Sequence, residues 1–353
     1  MEENIYKIEK GKLYNFCDTI FKKLNLSSEE TAILIDSIIQ ADMRGIHTHG
    51  VMRIPIYVKR FQLGLVNIDC TFKIVEETSS MALLDGNNGI GQVIGTKAME
   101  IAITKALGSG IGCVGVKNSN HFGAAAYFSS MALKKDMIGI AMTNTTPLLA
   151  PTGGTDKLIG NNPISIAIPS NKELPIILDS ALSVVALGKI MLAQKKGETI
   201  PLGWGLDKFG KDTDDPNKVL EGGIILPIGA YKGYGLSLII EILTGVLTGS
   251  GYSDGVKSIY KDLKNPNRCG HLFVAIRIQN FIDLEQFKTR IDDLIKKIKN
   301  SPKLEGVQKI YLPGEIEFEN EEKSLKEGIA LPKQVIEELE KLAKGLDLNL
   351  KLV

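Results

Sequence analysis

The stretch GNNGIGQVIG, residues 86–95, follows a strand-like run and opens a helical pattern, as the dinucleotide-binding turn of a Rossmann fold does. Its glycines Gly89, Gly91 and Gly95 have the spacing G-x-G-x-x-x-G, so the third comes one residue later than in that fingerprint. The acidic residue expected about 20 residues further on, which would hold a ribose hydroxyl, is also missing, because LGSGIGCVGV fills that region. We therefore predict a tight glycine turn between a strand and a helix, and no standard Rossmann half.

The sequence around this turn is typical of an α/β domain. From about residue 72 the chain consists of short β-rich runs bounded by glycine, with helical segments such as GQVIGTKAMEIAITKALGSG between several of them. A chain of 353 residues is too long for one ordinary core. We predict an α/β domain over 71–282 and a mostly helical part in which residues 1–70 are joined by 283–353. The runs interpreted as strands are FKIVEET, SMALLDG, GCVGVKN, MIGIAMTN, ISIAIP and PIILDSA.

Helical patterns occur near the N-terminus and again after residue 235. SSEETAILIDSIIQADMRG opens with a Ser27 cap and with Glu30 three residues later, and then repeats apolar positions at helical spacing. A second short helix is predicted through VMRIPIYVKRFQLG, ending at Gly64. The apolar run LSLIIEILTGVL, residues 236–247, is too short to span a membrane and contains Glu241, so we interpret it as a buried helix.

Composition and charge argue against several classes of protein. The net charge is +1 and no Lys/Arg run dominates, which argues against a nucleic-acid partner. The N-terminal MEENIYKIEK is acidic and polar, unlike a secretory signal. We expect a cytoplasmic location, reduced thiols, no membrane partner and no metal. The four cysteines form no C-x-x-C pair and suggest neither a disulfide framework nor a zinc site: Cys17, Cys70, Cys113 and Cys269.

Two of the four histidines lie one residue apart in RGIHTHGVMRIPIYVKR, residues 44–60. If this segment is helical, His49 and Arg53 lie on one face, with Tyr57 one turn further. An arginine binds a carboxylate through two parallel hydrogen bonds, and its charge disfavours a neighbouring imidazolium. An anion clamp beside a neutral imidazole suits a small 2-oxo or 2-hydroxy acid. A solvated polar helix end explains the same residues equally well.

A second candidate is His121 in NSNHFGAAAY, residues 118–127, just past a predicted strand. Loop histidines held at the edge of a scaffold are favoured catalytic positions, although a structural histidine is the alternative. His47 and His271 have weaker cases. His47 and His49 could ligate a metal, but no third ligand of suitable spacing stands nearby.

Further glycine-punctuated stretches predict a polar cleft. TNTTPLLAPTGG and GNNPISIAIP supply amides and hydroxyls near strand ends. In LDSALSVVALGK, Asp179 follows a strand and precedes a helix, where it either caps the helix or holds a ribose hydroxyl. In IGAYKGYGLSLIIEILTG, Lys232 lies at a predicted helix start, which is a good phosphate site. Each stretch alone is equally explained by a glycine-rich turn before a buried helix.

Taken in order, these blocks resemble the type-2 malate/L-lactate dehydrogenases. That family also includes ureidoglycolate, sulfolactate and diketogulonate oxidoreductases and piperideine-2-carboxylate reductases. The resemblance extends from about residue 10 to 345, which is nearly the whole chain. The blocks that carry it, in family order, are RGIHTHGVMR, NSNHFGAAAYF, APTGG followed by GNNPISIAIP, DSALSVVALGK and KGYGLSLIIEILTGVLTG.

The resemblance implies an α/β fold in which a non-Rossmann cofactor domain has a largely antiparallel or mixed sheet. It also implies a metal-free, NAD(P)-dependent hydride transfer at C2 of a small hydroxy acid. A homodimer with its site near the subunit boundary is expected as well. Malate or lactate is the first substrate prediction, and ureidoglycolate is the second, because RGIHTHG and SIYKDL look similar to the ureidoglycolate enzymes.

Carried over by position, the resemblance assigns roles to individual residues. Members of the family have had either histidine assigned as the acid/base. We expect His121 to be the base in alcohol oxidation, His49 to polarise the C2 oxygen and Arg53 to hold the carboxylate. The remaining candidates are Thr48 and Tyr57 for substrate binding, and Thr145, Asp179, Ser180, Ala181 and Lys232 for cofactor binding.

The chain departs from the family pattern at three places. Thr48 stands where serine is common, and Ser180 follows Asp179 where the block commonly reads Asp-Met-Ala. Leu187 stands where arginine is frequent, which removes a cation for a 2′-phosphate if that position faces the ribose. We therefore expect NAD as the cofactor, with NADP possible.

Two other classes of function compete with a dehydrogenase. A metal-dependent hydrolase could use His47, His49, His121 and Asp179. A catalytically silent protein would bind NADH without turnover. Following NADH absorbance while 2-oxo acids are offered, with and without a chelator, distinguishes the three.

Overall fold

A computed structural model describes residues 5–353 and has a mixed seven-stranded sheet at its centre. The strands are β1 (Ile5–Ile8), β2 (Lys73–Glu77), β3 (Met81–Asp85), β4 (Ile111–Ser119), β5 (Met137–Thr143), β6 (Ile164–Ile168), β7 (Ile176–Ser180), β8 (Gly205–Leu206), β9 (Ile224–Ile225), β10 (Cys269–Arg277) and β11 (Ile329–Pro332). The central sheet has the order β2-β3-β4-β10-β5-β6-β7. Within it β3 and β4 run parallel, and the other neighbours are antiparallel. A Rossmann half is a largely parallel sheet, so the prediction of a non-Rossmann α/β fold is confirmed.

Helices cover this sheet and form much of both chain ends. They are α1 (Lys10–Lys23), α2 (Ser28–Met43), α3 (Ile54–Gln62), α4 (Gly91–Ser109), α5 (Ala125–Ser129), α6 (Leu187–Lys196), α7 (Pro216–Leu220), α8 (Tyr231–Glu241), α9 (Leu284–Lys299), α10 (Glu315–Glu327) and α11 (Lys333–Gly345). The predicted cap is present, since the Ser27 hydroxyl accepts a hydrogen bond from the Glu30 N–H at 3.3 Å. Across residues 5–353, none of the helices has the length and apolar character that crossing a bilayer requires.

Two glycines let α4 lie directly on the sheet and on the turn after β4. A Cβ at Gly112 would lie 1.9 Å from the Ala102 carbonyl oxygen, so β4 passes under α4 only because this residue is glycine. A Cβ at Gly91 would lie 2.2 Å from the Asn120 carbonyl oxygen and 2.4 Å from that of His121. The tight glycine turn predicted over residues 86–95 therefore brings the start of α4 against the backbone of His121.

The six predicted strands are present as β2 to β7, but the prediction omitted the central strand β10. It lies between β4 and β5 and pairs antiparallel with both. Its sequence, CGHLFVAIR, contains an uninterrupted apolar run, which periodicity alone does not distinguish from a buried helix. Its two partners are also more than 100 residues away in the chain, so no local pattern indicated the pairing.

The two ends of the chain meet. Strand β1 pairs antiparallel with β11, and the Arg44 Nε at the end of α2 contacts the Glu321 carboxylate in α10 at 2.8 Å. The division into an α/β domain over 71–282 and a helical part made from both ends stays a prediction.

The interpretation of LSLIIEILTGVL as a buried helix is wrong for the single chain. Helix α8 continues into a π-helical turn, Ile242–Val246, and one face of this segment is open. Ile239 is 51% exposed, Val246 53% and Leu247 66%, whereas Ile240 and Glu241 on the other face are buried. The apolar run therefore packs on the sheet through only one side.

Candidate active site

His49 and Arg53 do not lie on one continuous helix, so the condition under which we expected them to share a helix face is not met. His47–His49 and Val51–Arg53 form two separate 3-10 turns, and α3 follows them. Gly50 between the turns is extended, with φ −86° and ψ −154°. The four-residue spacing therefore does not by itself align the two side chains.

The break follows from a buried carboxylate on α2. Asp42 is 2% exposed, accepts a hydrogen bond from the Val51 N–H at 2.7 Å and bonds to His47 Nδ1 at 2.8 Å. A Cβ at Gly50 would lie 2.1 Å from the Asp42 carboxyl carbon, so only glycine fits at this point. Asp42 thus orients the turns that carry His49. Its hydrogen bond to His47 gives that histidine a structural role. Within residues 5–353, no three His, Cys, Asp or Glu side chains converge on a metal site.

Four predicted site residues converge despite the broken helix. The His49 and His121 rings stack with centroids 5.5 Å apart and planes at 14°. The Tyr57 hydroxyl lies 2.8 Å from His121 Nδ1. Arg53 is close enough for its charge to act on His49, Tyr57 and His121. Residues 64 positions apart in sequence, Tyr57 and His121, are therefore in direct contact.

Both imidazoles in the cluster are neutral near pH 7. Burial lowers the pKa of His49 to about 3, and the Arg53 charge acts in the same direction. The pKa of His121 is also lowered well below its usual value, first by burial and then by Arg53. The sequence indicated only the smaller of the two causes, the guanidinium, because burial depends on packing between distant segments.

Gln92, which the sequence did not indicate as a site residue, holds the Tyr57 hydroxyl. Gln92 is 1% exposed in the first turn of α4, and its Nε2 donates to Tyr57 Oη at 3.1 Å. Burial raises the pKa of Tyr57 to about 12, so the phenol stays protonated. One feature of the sequence could have indicated Gln92: it directly follows Gly91. The glycine turn at Gly91 packs against the backbone of His121.

Tyr260 is a second residue that the sequence did not indicate, and it is a partner of Arg53. The Arg53 Nη1 donates to the Tyr260 hydroxyl at 2.5 Å, and its Nε donates to the Thr48 carbonyl oxygen at 2.5 Å. The Thr48 hydroxyl in turn lies 3.0 Å from His49 Nδ1. The only sequence signal for Tyr260 was the likeness of SIYKDL to the ureidoglycolate enzymes.

Thr145, one of the predicted cofactor residues, lies in a network of amides beyond the end of β5. Its hydroxyl donates to Asn161 Oδ1 at 2.9 Å, and its N–H donates to Asn162 Oδ1 at 2.9 Å. The Asn161 Nδ2 donates to the Ser183 hydroxyl at 3.3 Å. The two asparagines of the GNNPISIAIP block therefore tie Thr145 to the segment after β7.

Asp179 lies within β7, not between a strand and the next helix as predicted. It pairs with Ser165 of β6, and its Oδ2 accepts a hydrogen bond from the Ala126 N–H at 2.9 Å. It therefore caps α5, the short helix that follows His121. The neighbouring Ser180 hydroxyl donates to the Ala181 carbonyl oxygen at 3.0 Å.

Lys232 is the second residue of α8, as its predicted place at a helix start requires. Its side chain is exposed and makes no hydrogen bond or ion pair with the rest of residues 5–353. One turn later in α8, the Ser237 hydroxyl donates to the Gly160 carbonyl oxygen at 2.7 Å. The middle of α8 thus lies beside the Asn161 turn that holds Thr145.

His271 connects the histidine cluster to this amide network. It is fully buried on β10, and its Nδ1 lies 2.7 Å from the Thr143 hydroxyl at the end of β5. Its ring stacks on Phe122, the residue after His121, with centroids 4.6 Å apart. A chain of buried contacts therefore links His121, through Phe122 and His271, to Thr143, two residues before Thr145.

A family model described as malate/L-lactate dehydrogenase matches residues 8–340. The chain belongs to the malate/L-lactate dehydrogenase family. This membership confirms the predicted family and the predicted class of activity, an enzyme that oxidises 2-hydroxy acids. It favours a dehydrogenase over the metal-dependent hydrolase and the silent binding protein.

Individual relatives in this family cover nearly the whole chain. Malate dehydrogenase of Pyrococcus abyssi is 44% identical, over 98% of this chain and 96% of its own. The structure of sulfolactate dehydrogenase from Methanocaldococcus jannaschii is 41% identical with a TM-score of 0.92, covering 98% of each chain. Ureidoglycolate dehydrogenase (NAD(+)) of Escherichia coli K12 is 32% identical over 92% of each. Dehydrogenase relatives of this kind imply a nicotinamide cofactor.

Proposed function

We propose that this protein is an NAD-dependent malate dehydrogenase, which interconverts malate and oxaloacetate. The observation that carries the proposal is the convergence of one guanidinium, Arg53, with two neutral imidazoles, His49 and His121. Malate presents a C1 carboxylate and a C2 hydroxyl, which are the groups that such a cluster binds. The higher identity to the P. abyssi malate enzyme than to the E. coli ureidoglycolate enzyme supports malate as the first candidate.

Arg53 retains donors for the substrate carboxylate. A guanidinium has five N–H groups, of which one at Nε bonds to Thr48 and one at Nη1 bonds to Tyr260. The remaining N–H groups can bind the C1 carboxylate. Beside it, the Nδ1 of His49 is engaged by the Thr48 hydroxyl, which leaves Nε2 to polarise the C2 oxygen.

His121 exchanges the C2 hydroxyl proton at its Nε2, because its Nδ1 is engaged by Tyr57. Its lowered pKa keeps the ring neutral and able to accept a proton during oxidation. A phenol both accepts and donates hydrogen bonds. For Nε2 to accept that proton, Nδ1 must carry the ring hydrogen, so Nδ1 donates to the Tyr57 hydroxyl both before and after proton transfer and the bond persists.

The nicotinamide cofactor, when bound, supplies the acceptor for the C2 hydride. The residues at the candidate cofactor site fit a dinucleotide in their chemistry. Helix α8 has eleven residues, and its first turn carries the exposed ammonium of Lys232, a combination that suits phosphate oxygens. Thr145, Asp179, Ser180 and Ala181 would offer hydroxyl, carboxylate and backbone groups to the rest of the cofactor.

NAD is proposed over NADP because of Leu187. This residue starts α6 and packs with the apolar cluster that contains Leu149, Val185 and Ile190. An apolar side chain here gives no cation for a 2′-phosphate. Comparing KM for NADH with KM for NADPH tests the preference, and a lower KM for NADPH would contradict it.

A homodimer is proposed as the functional form, supported by the open apolar face of α8 and its π-turn. Leu236, Ile239, Val246 and Leu247 are each between 45% and 66% exposed. Contiguous exposed apolar residues mark interaction surfaces, and this helix also carries Lys232. Sedimentation velocity is expected to give a mass of two chains, and a monomer would contradict this part of the proposal. The cytoplasmic location stays a prediction.

The experiment that tests the proposed function follows NADH absorbance while oxaloacetate, pyruvate and sulfopyruvate are offered, with and without a chelator. Loss of NADH with oxaloacetate, unchanged by the chelator, is expected. Sulfopyruvate is the second candidate substrate, because the chain resembles a sulfolactate dehydrogenase in structure along 98% of its length. Activity abolished by the chelator would favour a metal enzyme, and NADH binding without turnover of any 2-oxo acid would contradict the proposal.

A further inference from the structure

The Arg53 guanidinium is held from two directions by the protein itself. Its Nε is bonded to the Thr48 carbonyl oxygen, and its Nη1 is bonded to the Tyr260 hydroxyl. The guanidinium carbon also lies 5.3 Å from the centroid of the Tyr260 ring, within the range of a cation–π contact. Tyr260 therefore restrains the position of the group proposed to bind the substrate carboxylate, through one hydrogen bond and through contact with its ring.

The segment that carries Tyr260 is anchored to α3, the helix that begins directly after Arg53. Arg60 in α3 is 2% exposed, and its Nη1 and Nη2 donate to the carbonyl oxygens of Asp262 at 2.8 Å and Asn265 at 3.1 Å. On the other side of Tyr260, Ile259 is 8% exposed and borders His121 and Tyr57 in a small cavity. The backbone around Tyr260 is thus held on both sides.

The Tyr260 side chain itself adds little to the core. The residue is 52% exposed, and its hydroxyl contacts Arg53 at the edge of the site. Losing a hydroxyl from such a position costs little folding stability. A loss of function on removing it would therefore report on Arg53 and not on unfolding.

We propose that Tyr260 is a positioning residue for the substrate carboxylate, acting by holding the Arg53 guanidinium. The inference rests on the proposed role of Arg53 in carboxylate binding. Because Tyr260 holds Nη1 while the Thr48 carbonyl oxygen holds Nε, the remaining N–H groups of the planar guanidinium are already aligned before the carboxylate arrives. Pre-alignment of this kind strengthens binding by removing the ordering cost.

The test is the variant Tyr260→Phe, which keeps the ring over Arg53 and removes only the hydroxyl. We expect KM for oxaloacetate to rise about three- to tenfold, with kcat within about twofold and KM for NADH unchanged. The matched control is Tyr311→Phe, because Tyr311 is 47% exposed and its ring also lies 4.5 Å from a cation, Lys309. The control is expected to keep the wild-type KM. An unchanged KM in Tyr260→Phe would overturn the inference.

A second background shows whether Tyr260 acts through Arg53. In Arg53→Lys, where the guanidinium is gone, adding Tyr260→Phe is expected to change kcat/KM no further, since the two effects are coupled. If Tyr260→Phe has its full effect in both backgrounds, Tyr260 acts on the substrate directly and the positioning role is wrong.

Binding of oxamate, a stable 2-oxo acid analogue, gives a readout without turnover. Calorimetry in the presence of NADH is expected to show a weaker Kd for Tyr260→Phe than for the wild type. A wild-type chain that neither reduces any 2-oxo acid nor binds oxamate would overturn the proposed function together with this inference. An active wild type with an unaltered Tyr260→Phe would overturn the inference alone.

Discussion

Replacing Tyr57 by phenylalanine removes one oxygen atom from the centre of the proposed proton-transfer site. Tyr57 Oη bonds to His121 Nδ1 at 2.8 Å and accepts from Gln92 Nε2 at 3.1 Å. The ring of Tyr57 is 6% exposed, so phenylalanine fills the same space. The variant tests whether this hydroxyl positions His121, as the structure suggests, or contacts the substrate, as its predicted substrate-binding role requires.

The size of the effect follows from the change in charge of His121 during the reaction. A hydrogen bond between neutral groups contributes about 0.5–1.5 kcal/mol, and one to a charged group about 1.5–3 kcal/mol. The bond between Tyr57 and His121 is therefore about 1–1.5 kcal/mol stronger once the imidazole has taken the proton. That difference corresponds to a fall in kcat of about five- to fifteenfold.

Steady-state malate oxidation by the wild type and Tyr57→Phe measures this prediction. We expect the fall in kcat with KM for malate within about twofold, because Tyr57 bonds to His121 and not to Arg53. The control is Tyr127→Phe, which also removes a hydrogen-bonded phenol hydroxyl. That hydroxyl donates to the Asp36 carboxylate at 3.1 Å. The kcat of this control is expected to stay at the wild-type value. An unchanged kcat in Tyr57→Phe would refute the reasoning. A change confined to KM would instead assign Tyr57 to the substrate.

Three further predictions concern the remaining groups. Arg53→Lys keeps the charge but loses the planar fork, so kcat/KM for oxaloacetate is expected to fall about 10- to 100-fold, and an unchanged value removes Arg53 from the site. His121→Ala is expected to lower kcat about 10²- to 10⁴-fold, with the Kd of NADH retained; a larger loss in His49→Ala would exchange the two roles. Burial lowers the pKa of His271 from 6.5 to about 3, so below pH 6.5 the unfolded chain binds a proton that the folded chain does not. The free energy of unfolding is thus highest well above pH 6.5 and falls on acidification, by about 1.7 kcal/mol between pH 6.5 and 5 for this residue. Urea unfolding at both pH values measures it, and an equal loss in His271→Asn would show that His271 is not the cause.

Local patterns predicted most of the elements around the site. The glycine spacing in GNNGIGQVIG excluded a Rossmann half, and the mixed sheet agrees. The six predicted strands and the capped helix α2 also form, because short apolar runs bounded by glycine and a serine cap act over a few residues. The lowered pKa of His49 was also expected from the neighbouring Arg53 charge, although burial is the larger cause.

Long-range contacts explain what the sequence did not indicate. The strand β10 pairs with partners more than 100 residues away, so nothing near it in the chain marked its place in the sheet. His49 and Arg53 do not share a helix, because the Asp42 carboxylate on the preceding helix accepts the Val51 N–H and holds the turn at Gly50, where it leaves room only for glycine. Gln92 and Tyr260 enter the site from distant segments. Each of these features depends on tertiary packing, which the periodicity and spacing of residues along the chain do not indicate.

The most direct measurement of the central claim is a crystal structure of the protein with NADH and oxamate. The account predicts that Arg53 N–H groups bind the oxamate carboxylate and that His121 Nε2 lies within about 2.7–3.2 Å of the C2 oxygen. It also predicts that the Tyr260 and Tyr57 contacts are retained. Oxamate bound away from Arg53, or with its C2 oxygen out of reach of both His121 and His49, would contradict the account.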